Sequence, residues 1–211
     1  MTASDSPAGV RILALGDSYT IGEAVAESER WPVRLAELLR ADGISSAEPL
    51  IVARTGWTTD ELSSAIDAAD IALAEPYDLV TLLIGVNDQY RGRGTEEYRS
   101  HVRTLIDRAV AFAGARASRA IVLSIPDWGV TPFAEGRDRA RIASEIDAFN
   151  AVGRDETSRA GARFVDVMPI SRRAAAEPAL VASDGLHPSG PMYDEWARLV
   201  LPVALDALAQ S

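Results

Sequence analysis

Short apolar runs alternate along the chain with longer stretches in which apolar residues return every three or four positions. Residues 10–15 (VRILAL) form a short apolar run closed by Gly16, the mark of a buried strand. Residues 31–40 (WPVRLAELLR) predict a helix with Pro32 in its first turn and Gly43 just past its end. A second strand is expected at 50–53 and an Ala-rich helix at 59–73. Residues 78–84 (DLVTLLI) read as a third strand, again closed by a glycine, Gly85. Tyr98, Val102, Leu105, Ile106, Ala109 and Ala113 then recur at helical spacing. Thr95 is the expected cap of that helix, with Glu96 and Glu97 suited to the positive end of its dipole. A fourth strand at 120–125, a loop at 126–136 and a helix at 138–160 follow. The last two elements are a fifth strand at 163–167 and a helix over 190–209, with Pro202 as its kink point.

Strands separated by helices of this length imply a parallel sheet covered on both faces. Right-handed crossovers then give a doubly wound α/β sandwich of three layers. Residues 9–211 read as one domain behind a flexible lead at 1–8. Ligands of such folds bind beyond the carboxyl ends of the strands. Chemistry is therefore sought in the segments that follow each strand.

Composition narrows the chemistry. The chain has 211 residues, no cysteine, and no lysine among its 21 basic residues. Disulfides, thiol catalysis, a Schiff-base lysine and a Walker lysine are excluded. A net charge of −10 argues against nucleic acid or an anionic membrane as partner. No run approaches the ~18 consecutive apolar residues of a membrane span. The first nine residues, MTASDSPAG, lack a basic start and an apolar stretch, so a cytoplasmic location is expected. Histidine is scarce: only His101 and His187 can supply an imidazole. His101 lies early in a helix with a structural pattern, which leaves His187.

Four segments after strands carry candidate groups. Ser18, in Gly16-Asp17-Ser18-Tyr19-Thr20, can point a hydroxyl into the crevice, although Gly, Asp and Ser are also ordinary turn residues. Gly56, in Arg54-Thr55-Gly56-Trp57, lets a backbone N–H approach a ligand. Asn87, in Gly85-Val86-Asn87-Asp88, can offer an amide N–H to an oxyanion or simply close an Asx turn. Asp184 stands three residues before His187 and can fold back to accept its Nδ1–H, leaving Nε2 free to take a proton. Each segment has a structural explanation of its own. The order Ser, Gly, Asn, Asp–His along four strand ends is what joins them.

In these blocks the chain resembles the SGNH hydrolases, also called GDSL esterases and lipases. The matching blocks are Gly16-Asp17-Ser18-Tyr19, Gly56, Gly85-Val86-Asn87-Asp88 and Asp184-Gly185-Leu186-His187, spread over almost the whole chain. The resemblance implies Ser18 as nucleophile, His187 as base and then acid, and Asp184 as the group that orients it. It implies an oxyanion hole made by the backbone N–H groups of Ser18 and Gly56 and the amide of Asn87. It implies a flavodoxin-like three-layer α/β/α sandwich with a five-stranded parallel sheet. Neither a metal nor an organic cofactor is required by that chemistry. Tyr19 stands where the family name has leucine, a position that varies. Asp88 fits the block and is expected to help orient it.

Other readings remain beside this one. The ordinary α/β-hydrolase needs G-x-S-x-G, and here Thr20 replaces the second glycine. An aspartate-nucleophile phosphatase built on Asp17 would need a second Asp where Tyr19 stands, and a lysine. A flavodoxin-like binding module would hold a phosphate or flavin in the first loop and leave Asn87, Asp184 and His187 without a purpose. The expected substrate is a small carboxylic ester with a short acyl chain, acetyl esters of sugars included. A thioesterase, lysophospholipase or acyltransferase of the same family is the alternative. Tyr19, Trp57, Tyr90 and Trp128 are the candidate lining of the substrate pocket, and the loop 126–133 its wall or lid.

Overall fold

The computed structural model describes residues 9–69, 71 and 75–210. The lead at 1–8 and part of the end of the expected helix 59–73 lie outside the described residues.

Five parallel strands form one sheet: β1 (Ile12–Gly16), β2 (Leu50–Ala53), β3 (Leu79–Leu83), β4 (Ala120–Leu123) and β5 (Arg163–Val165). Their order is β2-β1-β3-β4-β5, so the winding reverses between β1 and β3. Every residue of β1, β3 and β4 is buried, as befits strands covered on both faces. The register sets Gly16 against Ala53 on one side and Leu83 on the other. The carboxyl ends of the first three strands therefore finish side by side.

The covering helices are α2 (Trp31–Ala41) and α8 (Gly190–Ala209), packed on each other, and α3 (Thr59–Ala68), α5 (Thr95–Phe112) and α6 (Arg139–Ala160), where α5 packs on both neighbours. Three single turns complete the set: α1 (Ser18–Ile21), α4 (Val86–Tyr90) and α7 (Met168–Arg172). No described helix is long and apolar enough to cross a membrane. The helix α8 runs through Pro202 without ending, because Val200 and Ala204 on either side of it are buried in the core. One expected cap is corrected. Thr95 is itself helical behind Gly94, while Ser189 holds the cap position of α8 but donates its hydroxyl to the carbonyl of Ala179 at 2.7 Å.

One buried carboxylate fastens α5 to α6. Glu156 is 3% exposed and accepts from Arg99 Nη1 at 2.8 Å, Arg103 Nε at 2.8 Å and Arg159 Nε at 2.8 Å. The Arg103 hydrogen bond, joined by those of Arg99 and Arg159, outweighs burial and holds the carboxyl at about 2. Its folded pKa lies below that of a free glutamate, so its contribution is complete above pH ~4.5 and lost as pH falls through about 2. Solvent around the arginines limits that contribution to ~1–2 kcal/mol. Denaturant unfolding of the wild type and Glu156→Gln should therefore differ near neutral pH and converge as the pH is lowered towards 2. A gap that does not change with pH would contradict this role.

Candidate active site

The site begins where β1 meets α1. Asp17 is fully buried at the turn. Its Oδ1 accepts the N–H of Tyr19 at 3.0 Å, and its carbonyl accepts those of Thr20 at 3.1 Å and Ile21 at 3.0 Å. These bonds wind one helical turn directly after the strand and set Ser18 at its first position. The N–H of Ser18, as the first of a helix, has no acceptor within the turn. The helix ends at Gly22, whose φ of 70° is the left-handed stop.

Beyond β3 the chain turns at Gly85, with φ 125°. A Cβ there would stand 2.5 Å from the Tyr98 ring, so the position tolerates only glycine. The turn α4 follows and brings Asn87 towards the end of β1. Asn87 Nδ2 donates to the carbonyl of Trp57 at 2.9 Å and lies 3.5 Å from Asp17 Oδ2. Asp88 is buried and ties α4 to the start of α3, accepting from the Thr59 N–H at 3.0 Å and the Thr59 hydroxyl at 2.7 Å. Between β2 and α3, Gly56 has φ 85°, and among the described residues no carbonyl accepts its N–H.

The imidazole comes from the loop before α8. Asp184 Oδ1 accepts the backbone N–H groups of Leu186 at 2.9 Å and His187 at 3.0 Å. Its other oxygen meets His187 Nδ1 at 2.5 Å. The loop is closed by Ala182 N–H on the His187 carbonyl at 2.8 Å and Gly185 N–H on the Ala182 carbonyl at 3.0 Å. His187 is buried, with the Tyr19 ring edge-on at a centroid distance of 5.5 Å. Partial burial raises Asp184, but the hydrogen bonds from His187 and the two backbone N–H groups win and hold it below the usual carboxylate range.

A cleft of about 170 Å³ unites these groups. Ser18, Gly56, Asn87 and His187 face it together with Tyr19, Tyr90 and Trp128. Trp57 does not line it. It borders the open groove beside Arg54, Asp60 and Arg91, and reaches the site through its backbone carbonyl on Asn87. Phe133 and Leu186 also line the cleft. Phe133 falls in the expected wall, the loop 126–133, but nothing in the sequence marks its ring as facing inward. His101 is half-buried on α5, away from the cleft. Its ring gathers with Asp60 and Asp88, their ligand atoms within 4.8 Å of one another. Arg93 already supplies the cation to that cluster, at 2.6 Å from Asp60 and 3.2 Å from Asp88.

A hydroxyl, an imidazole oriented by a carboxylate, and amide donors around one cleft form the set needed for acyl transfer through a covalent intermediate. Over residues 14–194 the chain matches the profile of the GDSL-like lipase/acylhydrolase family, and it belongs to that family. By class it is a carboxylic ester hydrolase. Its fold is similar to the solved structure of TesA, with a TM-score of 0.71 and 20% identity over 94% of this chain and 99% of that one. A lipase/acylhydrolase from Enterococcus faecalis aligns with a TM-score of 0.69 and 20% identity over 92% of this chain and 94% of its own. Axe2-W215I, an acetyl xylan esterase from Geobacillus stearothermophilus, aligns with 0.70 and 20% over 93% and 95%. No curated protein matches the sequence.

Burial of Asp17 has a consequence for the pH profile. Desolvation pushes its carboxyl up to about 8, so at neutral pH it is mainly uncharged and sets no full negative charge beside Asn87. Above about 8 it ionises next to the place where an oxyanion would form. The kcat/KM of the wild type should fall on the alkaline side of that value, and Asp17→Asn should lack the falling limb. The same limb in both proteins would assign it to another group.

Proposed function

We propose that the protein hydrolyses small carboxylic esters with short acyl chains through an acyl-enzyme on Ser18. The observation that carries this reading is the 2.5 Å contact of Asp184 with His187 Nδ1, on a buried imidazole that faces the same cleft as Ser18. That contact fixes the tautomer and leaves Nε2 as the basic nitrogen. His187 takes the Ser18 proton as Oγ attacks the ester carbonyl. The N–H groups of Ser18 and Gly56 and the amide of Asn87 hold the oxyanion. His187 then protonates the leaving alcohol, and a water releases the acyl group by the same route. The modest volume of the cleft favours a short acyl group. Acetyl esters, the class named for the Geobacillus neighbour, are of that size.

A chain-length series of p-nitrophenyl esters, with acetylated xylose alongside, tests the reading on the wild type and four variants. The wild type should prefer the shortest acyl groups, and Ser18→Ala should lose turnover. His187→Ala should lose ~10³-fold or more in kcat, and Asn87→Ala ~10²–10³-fold. His101→Ala should stay close to the wild type. Equal turnover by the wild type and Ser18→Ala would overturn the mechanism. Preference for long chains would overturn the substrate assignment alone.

A further inference from the structure

Three rings that line the cleft also hold a cation, Arg137, which stands in the adjoining groove that shares Tyr90 and Trp128. The ring centroids of Tyr90 and Trp128 lie 5.5 Å apart, those of Tyr90 and Phe133 6.2 Å, and those of Trp128 and Phe133 5.9 Å. The guanidinium carbon of Arg137 stands 5.4 Å from the Tyr90 centroid, 5.4 Å from that of Trp128 and 5.1 Å from that of Phe133. All three distances fall within the ~6 Å over which a ring face attracts a cation. Among the described residues no carboxylate forms an ion pair with Arg137, and its side chain has one hydrogen bond, from Nη2 to the Tyr90 hydroxyl at 3.2 Å. The ring faces are therefore what hold it.

The box is built, and its occupant is loosely attached. Trp128 is buried and fixed by its indole N–H on Gln89 Oε1 at 2.9 Å, and Gln89 is held in turn by Glu145 at 2.7 Å. Tyr90 and Phe133 are 47% and 40% exposed, unusual for rings of this size. Arg137 is exposed, on the loop between Gly136, with φ 74°, and the capping residue Asp138. It can swing into solvent without disturbing a helix or a salt bridge. The same three rings line the cleft that holds Ser18 and His187.

We infer that this box binds a cationic group of the substrate, an alkylammonium carried on the alcohol half of the ester, and that Arg137 is the resident cation it displaces. The inference rests on Ser18 being the nucleophile of the neighbouring site. The mutual tilts of the rings, 68°, 41° and 64°, favour this class over a sugar. A sugar stacks on one flat face, whereas tilted faces on three sides enclose a compact cation. Tyr90 and Phe133 are exposed whereas Ser18 and His187 are buried, so the box lies on the solvent side of the nucleophile, open to the half of the ester that leaves. A net charge of −10 also favours the approach of a cation.

Two measurements separate this inference from the reading it rests on. The first needs no turnover: ligand-observed NMR titration of choline against 3,3-dimethyl-1-butanol, which has the same shape without the charge. Choline should bind ~10-fold more tightly, Arg137→Ala should strengthen choline binding, and Phe133→Ala should abolish the preference. The second compares acetylcholine with 3,3-dimethylbutyl acetate as substrates. The charged ester should have the higher kcat/KM by ~10-fold, with the ratio rising further in Arg137→Ala. Equal binding of choline and the neutral alcohol overturns the box, whatever the protein hydrolyses. Equal kcat/KM for the two esters overturns its role in substrate choice. Preferential choline binding by a protein that hydrolyses no ester supports the box and counts against the role given to Ser18.

Discussion

The pairing of β1 with β3 at the centre of the sheet is the constraint on which the site depends. It sets Gly16 against Leu83, so the turns that carry Ser18 and Asn87 leave the sheet side by side. The winding reverses at this point, and the following helices depart to opposite faces, which leaves a crevice between the two turns. Single helical turns, α1 and α4, then aim each residue into that crevice. A slip of one residue in this register would carry Ser18 to the other face of the sheet. The fully buried strands resist such a slip, because every side chain of β1 and β3 is packed.

Burial also sets the electrostatics. Asp17 and Asp88 lie close to Asn87 and the Ser18 turn, and desolvation raises both. Asp17 orders the Ser18 turn through the backbone N–H of Tyr19, and Asp88 fastens the Asn87 turn to Thr59. The carboxylate paired with His187, Asp184, is the one left partly in solvent, where its three N–H donors keep its pKa low. Acids of one chain thus serve as struts or as the partner of an imidazole according to how much water reaches them.

Much of this was legible in the sequence. Glycines close the first and third apolar runs, and the observed strands lie within two residues of the expected ends. The four blocks follow strands, as expected, because a parallel sheet delivers its carboxyl ends to one edge. The turns α1, α4 and α7 were not legible, since four or five residues have no periodicity to read. Trp57 was expected in the pocket, but the backbone at Gly56 turns its ring to the adjacent groove while its carbonyl serves Asn87. Nor does any local pattern place Arg137 among Tyr90, Trp128 and Phe133. That contact joins a ring at the end of α4 to two rings of the loop 126–136, and charge alone gave Arg137 no distinction among so many arginines.

The central claim is that Ser18 carries the acyl group during turnover. The most direct measurement is rapid acid quench of the protein during hydrolysis of p-nitrophenyl acetate, followed by peptide mass spectrometry. The account predicts a single acetyl adduct on the peptide containing Ser18, formed within the burst of p-nitrophenol release and absent from His187→Ala. Turnover with no adduct, or with the acetyl group on another side chain, would contradict it.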